Sequence, residues 1–169
     1  MLLLSMLIGI VVGVLAVFVK LLIFEVNQLV SSFKSGSSLI FLFFLPVIGL
    51  FITNILAKNV FKEKLGHGVT NVLFTIVRGS SLLKKRLFLS RIITSIVSVS
   101  FGGSVGLEAP LIISGSTFGS NTGKLLHLHY KSRTLLIGCG SAAAIAGIFN
   151  SPIAAVIFVL EVILAEMTI

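Results

Sequence analysis

Between residues 37 and 57 no side chain is charged, and between residues 2 and 30 only Lys20 and Glu25 are. Each run reaches the roughly 20 apolar residues that a helix needs to cross a bilayer. The first carries Lys20, Glu25 and Asn27 toward one end, and the second carries Pro46, which is expected to kink it. A polar turn, SSFKSGSS, separates them. Charged residues make up 11% of the chain, against about 25% in soluble domains. Too little polar surface remains to cover the fold in water, so the chain reads as an all-α integral membrane protein, multi-pass and expected in the cell membrane.

The formal net charge is +8, which would also fit a nucleic-acid binder. The distribution argues against one. The bases lie in short clusters between apolar runs, as cytoplasmic anchors do. The clusters are Lys58, Lys62 and Lys64; Arg78, Lys84, Lys85, Arg86 and Arg91; and Lys124, Lys131 and Arg133. No removable signal peptide is expected, because no basic stretch precedes Leu2 and no clear small-residue cleavage site comes after it. Cys139 is alone and reads as a small packed residue. His127 and His129 fall in a polar loop, no cluster has metal-ligand spacing, and no cofactor is implied.

The apolar piece LGHGVTNVLFTIV, between Lys64 and Arg78, is too short to cross. With basic clusters on both sides it is expected to enter the membrane and return, as a re-entrant or half-length helix. Residues 87–105 form another apolar run that ends in SFGGSVG, and the chain restarts as LEAPLIISGSTFGSNTGK. The spacing predicts a hairpin with glycines at its tip, Pro110 in the first turn of the new helix, and Glu108 at that helix start. A further hairpin joins residues 134–148 to a last helix over 153–168, through Phe149-Asn150-Ser151-Pro152. Its alanines and glycines suit close packing in lipid.

Glycine thus meets a helix start at Gly66-His67-Gly68, at Gly102 to Pro110, and at Gly138 to Pro152. Free backbone N–H groups and the positive end of a helix dipole bind anions there. Broken helices that meet near the midplane build substrate sites in many transporters. Glu108 lies 45 residues from Glu63 and 53 from Glu161, the nearest acids on either side. A carboxylate at a helix start can occupy an anion site, and on protonation it can leave. It can equally do no more than cap the helix, although an intramembrane acid is by default functional. His67 could donate to an anion or simply occupy a turn. Glu161 could relay protons or sit at the interface. Ser104, Ser114, Ser116 and Asn121 read as packing or hydrogen-bonding residues. A serine protease would need a serine paired with a histidine inside helices. Here the histidines lie in LHLHYKSR and in the glycine turn at His67, far from Ser141.

These residues resemble the N-terminal half of the CLC family of chloride channels and proton-coupled chloride transporters. Gly106-Leu107-Glu108-Ala109-Pro110 is similar to the family's GREGP, and Gly66-His67-Gly68-Val69-Thr70 to its GSGIP. Gly140 to Ala144, then Phe149-Asn150-Ser151-Pro152, then Leu160-Glu161 resemble its GAAAG…FNAP…EE run. The resemblance implies a CLC-type fold with broken helices, one of two inverted repeats, over residues 1–169. It implies transport of chloride or another small anion, with protons as a second partner, by exchange or passive conduction. Glu108 would be the gate. Gly66, His67, Gly68, Val69, Gly106, Leu107, Ala109 and Pro110 would surround the anion. A homodimer is implied for the full-length protein. Because the second half of the family fold is missing after Ile169, a longer native chain is expected. The alternative is a non-transporting half-protein or assembly partner.

Three departures bear on mechanism. His67 stands where many members have a serine that touches chloride, a position tied in the family to anion preference. Thr70 replaces a proline. Val162 falls where the coupled transporters have an internal proton-transfer glutamate, and a valine cannot carry a proton.

Overall fold

The computed structural model describes residues 1–34, 39–61, 68–78, 81–103 and 106–163. Within them the chain is helical and runs in one order: α1 (Leu2–Lys34), α2 (Leu39–Ile55), α3 (Gly68–Val77), α4 (Arg86–Ser100), α5 (Glu108–Leu125), α6 (Tyr130–Phe149) and α7 (Pro152–Phe158). Two of these helices widen into π turns at their ends, α2 over Leu56–Val60 and α7 over Val159–Ile163.

α1 and α6 are long and apolar enough to cross a membrane, α1 over Leu2–Leu29. At 33 residues α1 is about 50 Å long. It continues through Ser31-Ser32-Phe33-Lys34, which the polarity of SSFKSGSS assigns to the turn. α6 likewise begins at Tyr130 rather than Thr134 and takes in Lys131, Ser132 and Arg133. Lysine, arginine and serine are adequate helix formers, so backbone hydrogen bonding carries a helix past the end of its apolar run. α2 continues through Pro46. α3, with ten residues and about 15 Å, is half the length of a span, as its short apolar piece requires.

α5 and α6 form the central antiparallel pair. Gly115 and Gly140 face each other so closely that a Cβ on either would run into the other's carbonyl oxygen, and one on Gly119 would meet Leu136 O. Small residues allow this approach, and in lipid such packing is a main source of helix association. α1 lies along α6 through Ile8, Val12, Ala16, Val19 and Ile23, a buried stripe at spacings of three and four.

The surface of this fold is apolar, and hydroxyls share its interior with the apolar core. Ser90, Thr94, Ser95 and Ser98 are buried on α4, and Ser114, Ser116, Thr117 and Ser120 on α5. Leu3, Phe18, Phe24, Phe51 and Ile153 are exposed. Several of the buried hydroxyls are paired across helices. Ser116 and Ser141 share a 2.7 Å hydrogen bond across α5 and α6. Ser81, at a positive φ of 45°, shares another of 2.7 Å with Thr134 and accepts at its carbonyl from Ser120. Ser114 donates to Phe88 O and so ties α5 to α4. An apolar skin over hydrogen-bonded polar seams is what hydrocarbon surroundings favour.

Candidate anion site at two helix starts

α5 begins at Glu108, with Leu107 as its cap residue and Pro110 third in the helix. Leu107 supplies no side-chain hydrogen bond to the helix start, so nothing from the cap residue fills the first N–H groups. Pro110 has no N–H to leave open. The Glu108 side chain is half-buried and turns back toward Gly106. A Cβ on Gly106 would collide with the Glu108 carboxylate.

The second helix start is α7. Asn150 ends α6 in the left-handed conformation, φ 53°, which releases the chain into a tight reversal. Ser151 comes next, and Pro152 opens α7 at a first-turn position, where its fixed φ suits a helix. The two starts border an open cleft of about 380 Å³, lined by Glu108, Ile112, Ile145, Phe149, Ser151, Ala154 and Phe158. Among the described residues, Glu108 is the only charged one in this lining. The carboxylate, Ser151 and two helix N-termini thus border a space otherwise walled by hydrocarbon. Such a space suits a small anion or an acid that shuttles between charged and neutral forms.

Of the residues expected to surround the anion, Gly106, Leu107, Ala109 and Pro110 lie at the α5 start beside Glu108. Gly68 opens α3. Val69 packs against the core group that contains Ile112 and Ile145, two of the cavity's walls. Gly66 and His67 lie outside the described residues, as do Ser104 and Glu166. Glu161 and Val162 are exposed on the π turn, and the described lining of the cavity stops at Phe158. Of the last helix expected over 153–168, the described part is α-helical to Phe158 and widens over Val159–Ile163. A π turn holds one more residue per turn than an α-helix and so rotates the residues after it. Ser141, the serine a protease would use, is held by Ser116 and Ile137 O. His127 and His129 are exposed in the α5–α6 loop.

Sequence reasoning missed Phe149, Ser151, Ala154 and Phe158 as cavity walls. A signal was present, since Ala154 and Phe158 are one turn apart on a helix that starts at Pro152.

Gly106→Ala tests the placement of the carboxylate. Its neighbour is the free end of a flexible side chain, so the added methyl is expected to displace the Glu108 carboxylate and leave the fold intact. The unfolding free energy in detergent should change by less than about 0.5 kcal/mol, within the range of surface substitutions, while the pH dependence of transport shifts.

The comparisons with known proteins agree on the class. The family model described as voltage gated chloride channel matches residues 48–169, more than half of the chain. The chain belongs to this CLC family, a family of channels and transporters found in membranes. It is 32% identical over 105 residues to a ClcB-like chloride channel protein of Ralstonia nicotianae, a match that covers 60% of this chain and 24% of that one. It is 26% identical over 119 residues to a chloride/fluoride channel protein of Pseudomonas syringae pv. tomato, covering 70% and 26%. In three dimensions it matches the crystal structure of a CLC-type fluoride/proton antiporter with a TM-score of 0.74 at 29% identity, covering 94% of this chain and 38% of that one. The chain spans about a quarter of the length of the curated relatives.

Proposed function

We propose that this chain is the first half of a CLC-type membrane domain that moves small anions across the cell membrane, with Glu108 as the gate. The observation that carries the reading is the cavity between the starts of α5 and α7, where Glu108 is the only charged residue of the described lining. In its charged form the carboxylate competes with an anion for the helix-start N–H groups. In its protonated form it gives the place up. Gly66 to Val69 and Gly106 to Pro110 supply the backbone around the anion. The functional unit is a multi-pass homodimer.

Chloride and fluoride are the two candidate ions. Chloride is named for the Ralstonia relative, and fluoride with protons for the structural match. Val162 argues against a proton route through that position, since its side chain has no titratable group. Coupling, where present, runs through Glu108.

The test uses the native full-length protein in liposomes loaded with potassium chloride or potassium fluoride. Anion efflux and external proton concentration are recorded together, without a protonophore. Anion efflux above that of empty liposomes is expected. Linked proton movement against its own gradient identifies an exchanger, and its absence a channel. No efflux of either anion removes the transport reading.

A further inference from the structure

The fold gathers bases from distant segments at one end of the helix bundle. The segment that leads into α4 carries Lys84, Lys85 and Arg86, and Lys124 and Lys131 flank the α5–α6 turn. Hydrogen bonds hold the two segments together. Ser81 Oγ and Thr134 Oγ1 are 2.7 Å apart, Ser120 Oγ donates to Ser81 O, and Leu83 N donates to Ser120 Oγ at 3.0 Å. Lys84 follows Leu83, Lys124 is one helical turn beyond Ser120, and Lys131 is three residues before Thr134. A Cβ on Gly123 would lie 2.9 Å from Arg133 Cγ, so α5 and α6 are in contact at this end as well. All five bases are exposed. Neither segment contains an acid, and Glu108, the acid of α5, is at the other end of that helix, about 27 Å away.

Bases held this close repel one another, and an anion among them relieves the repulsion. α4 and α6 both start within the patch, and their cap residues, Lys85 and His129, give no side-chain hydrogen bond to the first N–H groups. Those groups add donors to the basic side chains. The apolar neighbours decide where the anion comes from. Leu82, Leu125 and Leu126 are exposed beside the bases, and so is Tyr130, whose ring centre lies 4.7 Å from that of His129. α6 is long and apolar enough to cross a membrane, so its start at Tyr130 falls at a membrane face. Leucine and tyrosine mixed with lysine suit the boundary between headgroups and acyl chains rather than open water. Clusters of four to eight bases at that depth are suited to anionic headgroups.

We infer that this patch is a binding site for the headgroup phosphate of an anionic phospholipid in the adjoining leaflet. It stands apart from the Glu108 cleft and does not depend on what that cleft transports.

The test uses the native full-length protein, stripped of lipid in a nonionic detergent. Bound lipid is counted by native mass spectrometry after addition of dioleoylphosphatidylglycerol or dioleoylphosphatidylcholine. Wild-type protein is expected to hold the anionic lipid about tenfold or more tighter than the zwitterionic one. Lys84→Gln, Lys85→Gln, Lys124→Gln and Lys131→Gln combined should erase that preference, and Lys124→Gln alone should weaken it by about fivefold. Arginine at the same four places keeps the charge and should keep the preference. Lys20→Gln is the control, because Lys20 Nζ donates to Ile148 O at 3.2 Å, at the far end of α6, and it should bind as the wild type does. Equal retention of the two lipids by wild-type protein overturns the inference. So does a preference that survives the combined glutamine variant, is lost in the arginine variant, or falls as far in Lys20→Gln as in Lys124→Gln. Displacement of the anionic lipid by an equal concentration of sodium phosphate would assign the patch to a soluble phosphate instead. Exposed lysines tolerate glutamine, so melting should hardly change. Should the combined variant melt early, Lys124→Gln decides, and wild-type preference in it overturns the inference.

Discussion

Replacing Glu108 with glutamine is expected to abolish proton movement linked to the anion gradient and to leave anion flux in place. Glutamine has nearly the shape of the protonated acid but cannot release or take up a proton. In the cavity it therefore stays in the neutral form at every pH. Proton flux should fall by about a hundredfold or more, the range lost when a positioned proton-transfer group is removed. The pH dependence of anion flux should flatten at the same time. Paired anion and proton recordings on liposomes across acid and neutral pH check both effects. A Glu108→Gln protein with wild-type pH dependence would show that the carboxylate is only a cap for α5. The local geometry makes the experiment clean. The side chain reaches back over Gly106, and glutamine can take the same path.

The second large effect is expected at the crossing of α5 and α6. Gly140→Ala places a methyl against the Gly115 carbonyl, and because the obstacle is backbone, a helix must move. Overpacking of this kind costs about 3 kcal/mol, the upper part of the usual range. Gly115→Ala is expected to behave alike, since the contact is reciprocal. Gly9 is the control, because a Cβ there meets nothing within 4 Å. Melting of detergent-solubilised protein, tracked by loss of monodisperse material, should place both crossing variants well below Gly9→Ala. Equal melting of all three would mean that the helices do not rely on that contact. The same displacement would move Ile112 and Ile145, which flank the crossing on α5 and α6 and wall the Glu108 cavity.

Helix starts are the part of this fold most legible in the residues alone. Glycine and proline mark such points by local chemistry, and the starts of α3 at Gly68, α5 at Glu108 and α7 at Pro152 fall at or next to them. The half-length of α3 comes from counting residues between charges. The ends are harder to see. Ser31 to Lys34 and Tyr130 to Arg133 are mostly polar, and polarity reads as loop, yet a helix ends where its hydrogen bonding fails rather than where its hydrocarbon stops. The π turns at Leu56–Val60 and Val159–Ile163 depend on a shift in backbone pairing that no residue type announces. The cavity is half legible. Glu108 and the Phe149 to Pro152 reversal both stand out in the sequence, but only the crossing at Gly115 and Gly140 brings them together. Lys20 and Ile148 are 128 residues apart, and no local pattern joins them.

The apolar surface of the fold also governs how its stability responds to temperature. In a water-soluble protein, unfolding exposes hydrocarbon to water, and the large heat-capacity increase bends the stability curve toward both heat and cold denaturation. Here Leu3, Phe18, Phe51 and Ile153 face outward in the native fold, while many of the groups hidden between helices are hydroxyls already bonded to one another or to backbone carbonyls. When α5 parts from α6 within a bilayer, the surfaces laid bare meet acyl chains rather than water. The heat-capacity change of that step is correspondingly small. The free energy of helix association then varies almost linearly with temperature, with no cold-denatured branch.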